Sequence, residues 1–209
     1  MRQQKNRFLR RPLQFLCMTP RPLHGGREAS PDRVMQTKEN AMTTLFAQPY
    51  DISATGFYFD SAEDYAQKAA KNFNPYGILV EEYELQFIDG ESIDSNLFHA
   101  LDVGQCNFPA YLEACDTWDE HQKQKVILAV GECGYTFILG TDDPDNLDVD
   151  IYQVESLKEL AEQFVDEGLF GEIPASIQSY LDYDAIARDL GMDYTETLIV
   201  GERLVYRCG

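Results

Sequence analysis

Apolar and polar positions alternate at two different periods along this chain, and the switches between them mark its elements. Leu45-Phe46-Ala47 and Gly56-Phe57-Tyr58-Phe59 read as short strands joined by residues 51–56. Ser61-Ala62-Glu63-Asp64 places a capping hydroxyl three residues before a carboxylate, just ahead of a helical run over 65–73. Asn74-Pro75-Tyr76-Gly77 breaks that run. From 78 to 88, Leu79, Glu81, Tyr83, Leu85 and Phe87 alternate with Val80, Glu82, Glu84 and Gln86. Period two over this length predicts a half-buried strand with acids on display.

The period then changes to helical. Ser92 is positioned to cap a helix through Leu101, residues 108–115 supply a second, and Thr117 opens a third that ends near Gly131. Trp118, Val126, Ile127 and Val130 give an apolar stripe. Strands follow over 135–139 and around 151–154, with the loop Thr141-Asp142-Asp143-Pro144-Asp145-Asn146 between them. Ser156 caps a helix that runs to Glu167 and stops at Gly168. A second helical stretch covers 174–190, and strands over 197–200 and 204–206 close the chain as a hairpin around Gly201-Glu202. The expected fold is α+β, an elongated chain of three small modules: sheet plus helix over 42–90, helical over 91–131, and sheet plus helices over 132–209.

Charge changes the picture. The 209 residues hold 17 bases and 36 acids, a net charge of −19, which excludes ordinary sequence-independent binding to DNA or RNA. The distribution is uneven. Residues 1–40 carry nine bases and three acids, leaving −25 on the remaining 169 residues. Self-repulsion of that size exceeds what solubility requires, so the excess is read as functional. The basic stretch 1–41, with Pro12, Pro20, Pro22, Pro31 and Gly25-Gly26, lacks apolar periodicity. It reads as a disordered tail, a targeting peptide or translation upstream of the true start, with a start at Met42 favoured. Its apolar runs are too short for a secretory signal, and no run of about 18 apolar residues spans a membrane.

Candidate chemistry is sparse. Cys17, Cys106, Cys115, Cys133 and Cys208 contain no C-x-x-C spacing, which predicts neither a disulfide framework nor a zinc site and fits a reducing cytosol. A Cys–His nucleophilic pair such as Cys115 with His121 fits the spacing, set against a core thiol and a solvated or core imidazole. Phosphate-loop, dinucleotide, nucleophile-elbow and H-E-x-x-H motifs are missing, so no enzyme, cofactor or metal is expected. Asp142, Asp143, Asp145, Asp148 and Asp150 invite a calcium loop. Neither register fits: starting at Asn146 puts Ile151 where glycine is required, and starting at Asp143 puts Leu147 at a ligand position. In the helix after Ser156, Glu155, Glu159, Glu162 and Asp166 recur at four, three and four residues, opposite Leu157, Leu160, Ala161, Phe164 and Val165. A rise of about 1.5 Å per residue spaces these acids roughly 4.5–6 Å apart, the same order as phosphates along a DNA strand. A merely solvated helix face has the same pattern.

The C-terminal third carries a longer signature. The run G-E-I-P-A-S-I at 171–177, followed by Y-L-D-Y-D-A-I-A-R-D-L at 180–190, closely resembles the ArdA antirestriction family. Glu81-Glu82-Tyr83-Glu84 adds weaker support where that family has an acidic strand. The resemblance spans about 43–209, is strongest at 156–190, and has no counterpart for 1–41. It implies an elongated, usually homodimeric, cytoplasmic bacterial protein encoded by a mobile element. Its carboxylates would imitate duplex DNA and occupy the DNA-binding groove of a type I restriction–modification enzyme. Another basic partner, such as a different nuclease, a CRISPR effector or a nucleoid protein, is the alternative. On that reading the mimic carboxylates are Glu81, Glu82, Glu84, Asp142, Asp143, Asp145, Asp148, Glu155, Glu159, Glu162 and Asp166. The apolar residues Leu169, Phe170, Ile173, Pro174, Ile177, Tyr180, Leu181 and Tyr183 should pack the third module or meet their own copy across a two-fold axis. Arg188, amid Asp182, Asp184 and Asp189, is expected to be an internal ion-pair partner.

Overall fold

The computed structural model describes residues 42–209, and the readings made of 1–41 lie outside the described residues. Among the described residues, two three-stranded antiparallel sheets and seven α-helices make an α+β fold.

The first sheet has β1 (Thr44–Pro49) between β2 (Phe57–Phe59) and β3 (Tyr83–Asp89). Leu45 and Ala47 point into the core from β1, and Tyr83 and Leu85 from β3, while Glu84 and Gln86 face solvent. Gly56 leads into β2 because a β-carbon there would collide with the Phe46 ring and the Ala47 carbonyl. The expected strand over 78–88 begins only at Tyr83. The register ends at Pro49 opposite Tyr83, with one further bond from Tyr50 N–H to Glu82 O at 3.2 Å, and residues 78–82 lie outside the sheet. There the backbone finds other partners: Val80 N–H donates to Asn72 O, and Phe73 makes a single bridge to Leu79.

Helix α1 (Ala62–Ala69) starts and ends earlier than the expected 65–73, but Ser61 caps it as read, accepting from the Asp64 N–H at 3.2 Å. The segment after it is turned back, with the Asn72 amide donating to Thr55 O and to the Tyr83 hydroxyl. Helices α2 (Ser92–Ala100), α3 (Phe108–Thr117) and α4 (Glu120–Gly131) follow. Glu91 rather than Ser92 occupies the cap position of α2. Thr117 ends α3 instead of opening α4, its hydroxyl donating to Glu113 O. The opening of α4 is a reciprocal box in which Asp119 accepts from the Gln122 N–H and the Gln122 side chain accepts from the Asp119 N–H. Leu45, Phe59, Tyr83, Leu97, Phe98, Tyr111 and Val126 form one core. Within it, Lys123 Nζ donates to Asp94 Oδ1 at 2.6 Å and to Cys115 O at 2.8 Å, both ionic side chains being almost wholly buried. Helix α4 also serves a second core: Leu128 and Ala129 pack with Val149, Ile199, Leu204 and Tyr206.

The second sheet has β6 (Glu202–Cys208) between β4 (Val149–Tyr152) and β5 (Thr195–Ile199). Its strand β4 lies two residues before the expected 151–154. No strand forms over 135–139, because that backbone is committed locally. Tyr135 N–H bonds Ala129 O, Ile138 N–H bonds the Asp142 carboxylate, and Ile138 O accepts from Thr141 and Asp142. Phe137 instead packs edge-on against Trp118.

Helix α5 (Leu157–Asp166) is capped by Ser156 as expected, and Gly168 follows its end with φ of +76°. Leu160, Phe164 and Val205 form a third core beneath it. The expected helix over 174–190 is broken into α6 (Ala175–Gln178) and α7 (Tyr183–Leu190). Asp182 causes the break by accepting from the Ala185 N–H at 3.0 Å, a local bond that competes with continuing the helix.

The β5–β6 hairpin closes on Val200-Gly201, with φ of +52° and +84°. Both central residues in the left-handed region make this a mirror-image hairpin turn, which suits Gly201 and strains the β-branched Val200. Val200→Asn is expected to stabilise the chain by about 1 kcal/mol and raise Tm by roughly 2–4 °C, measured by thermal unfolding.

The cysteine reading needs correction. Cys133 and Cys208 form a disulfide with Cα atoms 6.0 Å apart, across 75 positions of sequence. Spacing along the chain did not reveal it because the end of α4 and the end of β6 meet only through the second core.

Candidate functional site

All eleven carboxylates singled out from the sequence are exposed, and they fall into three groups. Glu81 and Glu82 precede β3, and Glu84 lies on its solvent face opposite Gln48. Gln105 fastens this stretch by donating to Glu81 O and accepting from the Tyr83 N–H. The second group is the loop of Asp142, Asp143, Asp145 and Asp148, which winds through a 3-10 turn at Pro144–Asn146 into β4. It is held against the opening of α4, where the Gln122 amide donates to Asp145 Oδ1 and Lys125 Nζ donates to Asp145 O. The third group runs along α5: Glu155 just before the cap, then Glu159, Glu162 and Asp166.

These acids divide by what they already do. Asp142 accepts from Ile138, Asp143 from Asp145, Asp145 from Gln122 and Glu159 from the Glu155 N–H, so four of them hold local backbone or side-chain geometry. Glu155 lies 3.8 Å from Arg203. Glu81, Glu82, Glu84, Asp148, Glu162 and Asp166 make no side-chain hydrogen bond to a described residue. No hydrogen bond or ion pair ties the carboxylates of Glu81, Glu82 and Glu84 to those of the other two groups. The aspartates of the 142–150 loop are turned to different partners rather than to one centre, and among the described residues no cluster of His, Cys, Asp or Glu is arranged to hold a metal ion.

The cations explain why so much negative charge is left over. Of the eight Lys and Arg among residues 42–209, Lys123 is buried on Asp94, Lys68 pairs with Asp64, Lys158 with Asp184, Arg203 with Glu155 and Arg207 with Asp150, while Lys125 is on a carbonyl. Hydrogen bonding and attraction from Asp184 raise the Lys158 pKa above the ordinary lysine value, with smaller contributions from Glu162 and Asp182. Arg188 is exposed and makes no ion pair with a described residue, against expectation; Asp184, one helical turn before it, pairs with Lys158 instead.

Sequence reasoning missed Glu196. Its carboxylate accepts from the Leu157 N–H at 2.8 Å, placing a further acid from β5 at the positive end of α5, beside Glu155 and Arg203. Only the pairing of sheet and helix brings it there. The conceivable Cys115–His121 pair is not a nucleophilic site: Cys115 is buried and His121 is exposed. Burial pushes the Cys115 thiol up to about 12, which keeps it protonated and inert.

The apolar segment after α5 does not pack the second sheet. Leu169, Phe170, Ile177 and Tyr180 are 59%, 53%, 49% and 84% exposed, and Pro174 is also exposed. Ile173, Leu181 and Tyr183 are partly covered but join none of the three cores.

A comparison with curated proteins gives no match. Residues 107–201, from the cap of α3 to the turn before β6, match the family model described as antirestriction protein (ArdA). That span holds eight of the eleven carboxylates, all but Glu81, Glu82 and Glu84, together with the whole exposed apolar segment. Over residues 107–201, then, the chain is similar to the ArdA antirestriction family.

Proposed function

We propose that this chain is a DNA mimic that blocks type I restriction–modification enzymes by filling their DNA-binding groove. The observation that carries the reading is the asymmetry of partners: carboxylates stand exposed in number while most cations of the described residues are already paired with acids of the same chain. A groove built of Lys and Arg binds DNA largely by neutralising phosphates, and such contacts carry little sequence information. Fixed carboxylates on a folded surface meet the same groove without base readout and without any catalytic step. The site of action is the cytoplasm of a bacterial host, where incoming mobile DNA meets the enzyme.

Plating efficiency of unmodified phage on a type I restricting host, with and without the protein, tests this directly. Plating restored by orders of magnitude is the expected result, and unchanged plating overturns the proposal. Protection seen only against another nuclease would move the mimic to a different basic partner.

The working unit in this proposal is a homodimer formed through the exposed segment from Leu169 to Tyr180. An apolar patch of this kind can bury itself against its own copy across a two-fold axis. Phe170→Asp is expected to give monomer mass by size-exclusion with light scattering. Unchanged dimer mass with an intact fold would rule this interface out.

A further inference from the structure

The Cys133–Cys208 disulfide lies where several segments converge. Cys133 follows α4, its N–H bonded to Leu128 O, and Cys208 pairs in register with Val149 at the start of β4. Beside it, Gly209 N–H donates to Asp148 O, and the Tyr135 hydroxyl donates to Gly209 O at 2.8 Å and to Asp148 O at 3.3 Å. The bond therefore ties the last strand to α4 at the point where the acidic 142–148 loop enters β4.

We infer that this disulfide is a thiol-responsive clasp that sets how firmly the acidic loop is held. Cys208 is exposed and Cys133 partly covered, so an incoming thiolate reaches the Cys208 sulfur first. The S–S bond breaks, its electron pair leaves on Cys133, and that thiolate takes up a proton. A second small-molecule thiol then resolves the mixed disulfide, freeing Cys208 as a thiol and releasing the small molecule as its own disulfide. Two electrons and two protons enter the protein for each pair of low-molecular-weight thiols oxidised. Once the bond is open, the carboxyl end of β6 is retained by β4 pairing, the Gly209 bonds and the second core. The Asp148 anchor then frays more readily, because strand ends with few buried contacts open at low cost.

The full chain, purified without reductant, is alkylated under native conditions before and after glutathione treatment and mapped by mass spectrometry. Hydrogen exchange is followed on the same samples, with a Cys208→Ser variant as a permanently open form. Cys133 and Cys208 should be protected until glutathione is added. Exchange over 142–152 should then rise roughly tenfold or more, to the rate of the Cys208→Ser variant, while the protected interior of α3 stays unchanged. Full alkylation of both cysteines before reduction, or equal exchange in both states, would overturn the clasp. The consequence for inhibition rests on the DNA-mimic reading. If the oxidised protein does not inhibit at all, that reading fails, and the thiol and exchange results still decide the clasp.

Discussion

Lys123→Met is expected to lower stability by about 3–5 kcal/mol. The exchange leaves the Asp94 carboxylate, 3% exposed, without its cation and, among the described residues, with the Thr43 hydroxyl at 3.5 Å as its side-chain donor. It also removes the donor from Cys115 O. An unpaired charge in a low-dielectric interior costs far more than a surface ion pair contributes. For a chain of this size the fall in Tm should be at least about 6 °C, read by thermal unfolding. Asp94→Leu combined with Lys123→Met should recover most of the loss, since removing both charges leaves nothing to compensate. A single variant within about 0.5 kcal/mol of the parent would mean that the pair does not hold α2 to α4 as described.

The largest functional effect should come from removing the six carboxylates that make no side-chain hydrogen bond to a described residue. Glu81, Glu82, Glu84 and Glu162 changed to Gln, with Asp148 and Asp166 changed to Asn, remove six charges and no side-chain hydrogen bond to a described residue. On the DNA-mimic reading, roughly 0.5 kcal/mol per exposed pair puts the loss of affinity for a type I methyltransferase near 10²-fold at low salt. The gap between parent and variant should narrow as salt rises, because screening weakens every pair in the parent. Calorimetry at two salt concentrations measures both effects. Equal affinity of parent and variant at low salt would remove the electrostatic basis of the mimicry. Asp142, Asp143 and Glu159 are poor choices for this experiment because their carboxylates also hold turns and the start of α5.

Much of the fold was legible because its signals are local. Ser61 and Ser156 were read as caps and are caps, since a hydroxyl reaches an N–H three residues on whatever surrounds it. The period-two run placed Tyr83 and Leu85 inward and Glu84 outward, and β3 follows that register from Tyr83 to Asp89. It also suggested residues 78–82 as strand, and here pattern was insufficient. A strand needs a neighbour, and β1 ends at Pro49. The same shortfall undid the strand over 135–139, whose alternation is real but whose backbone bonds to α4 and to its own loop. Thr117 is a capping residue type, yet α4 opens at Asp119, where the reciprocal bonds with Gln122 form.

The candidate surface divides along the same line. Exposure of the eleven acids followed from their residue type, since an unpaired carboxylate is seldom buried. Which of them remain uncommitted did not follow, because the bonds of Asp145 to Gln122 and of Glu196 to α5 join positions 23 and 39 residues apart.

By itself the sequence determined an acidic α+β chain with a family signature over its C-terminal third, because composition, caps and short-range periodicity need no folding to be read. Tertiary structure alone decided that Lys123 neutralises Asp94, that Asp184 pairs with Lys158 rather than Arg188, that Cys133 finds Cys208, and that the apolar segment after α5 faces outward. Each of those depends on which distant surfaces are brought into contact when helices and sheets bury their apolar faces together.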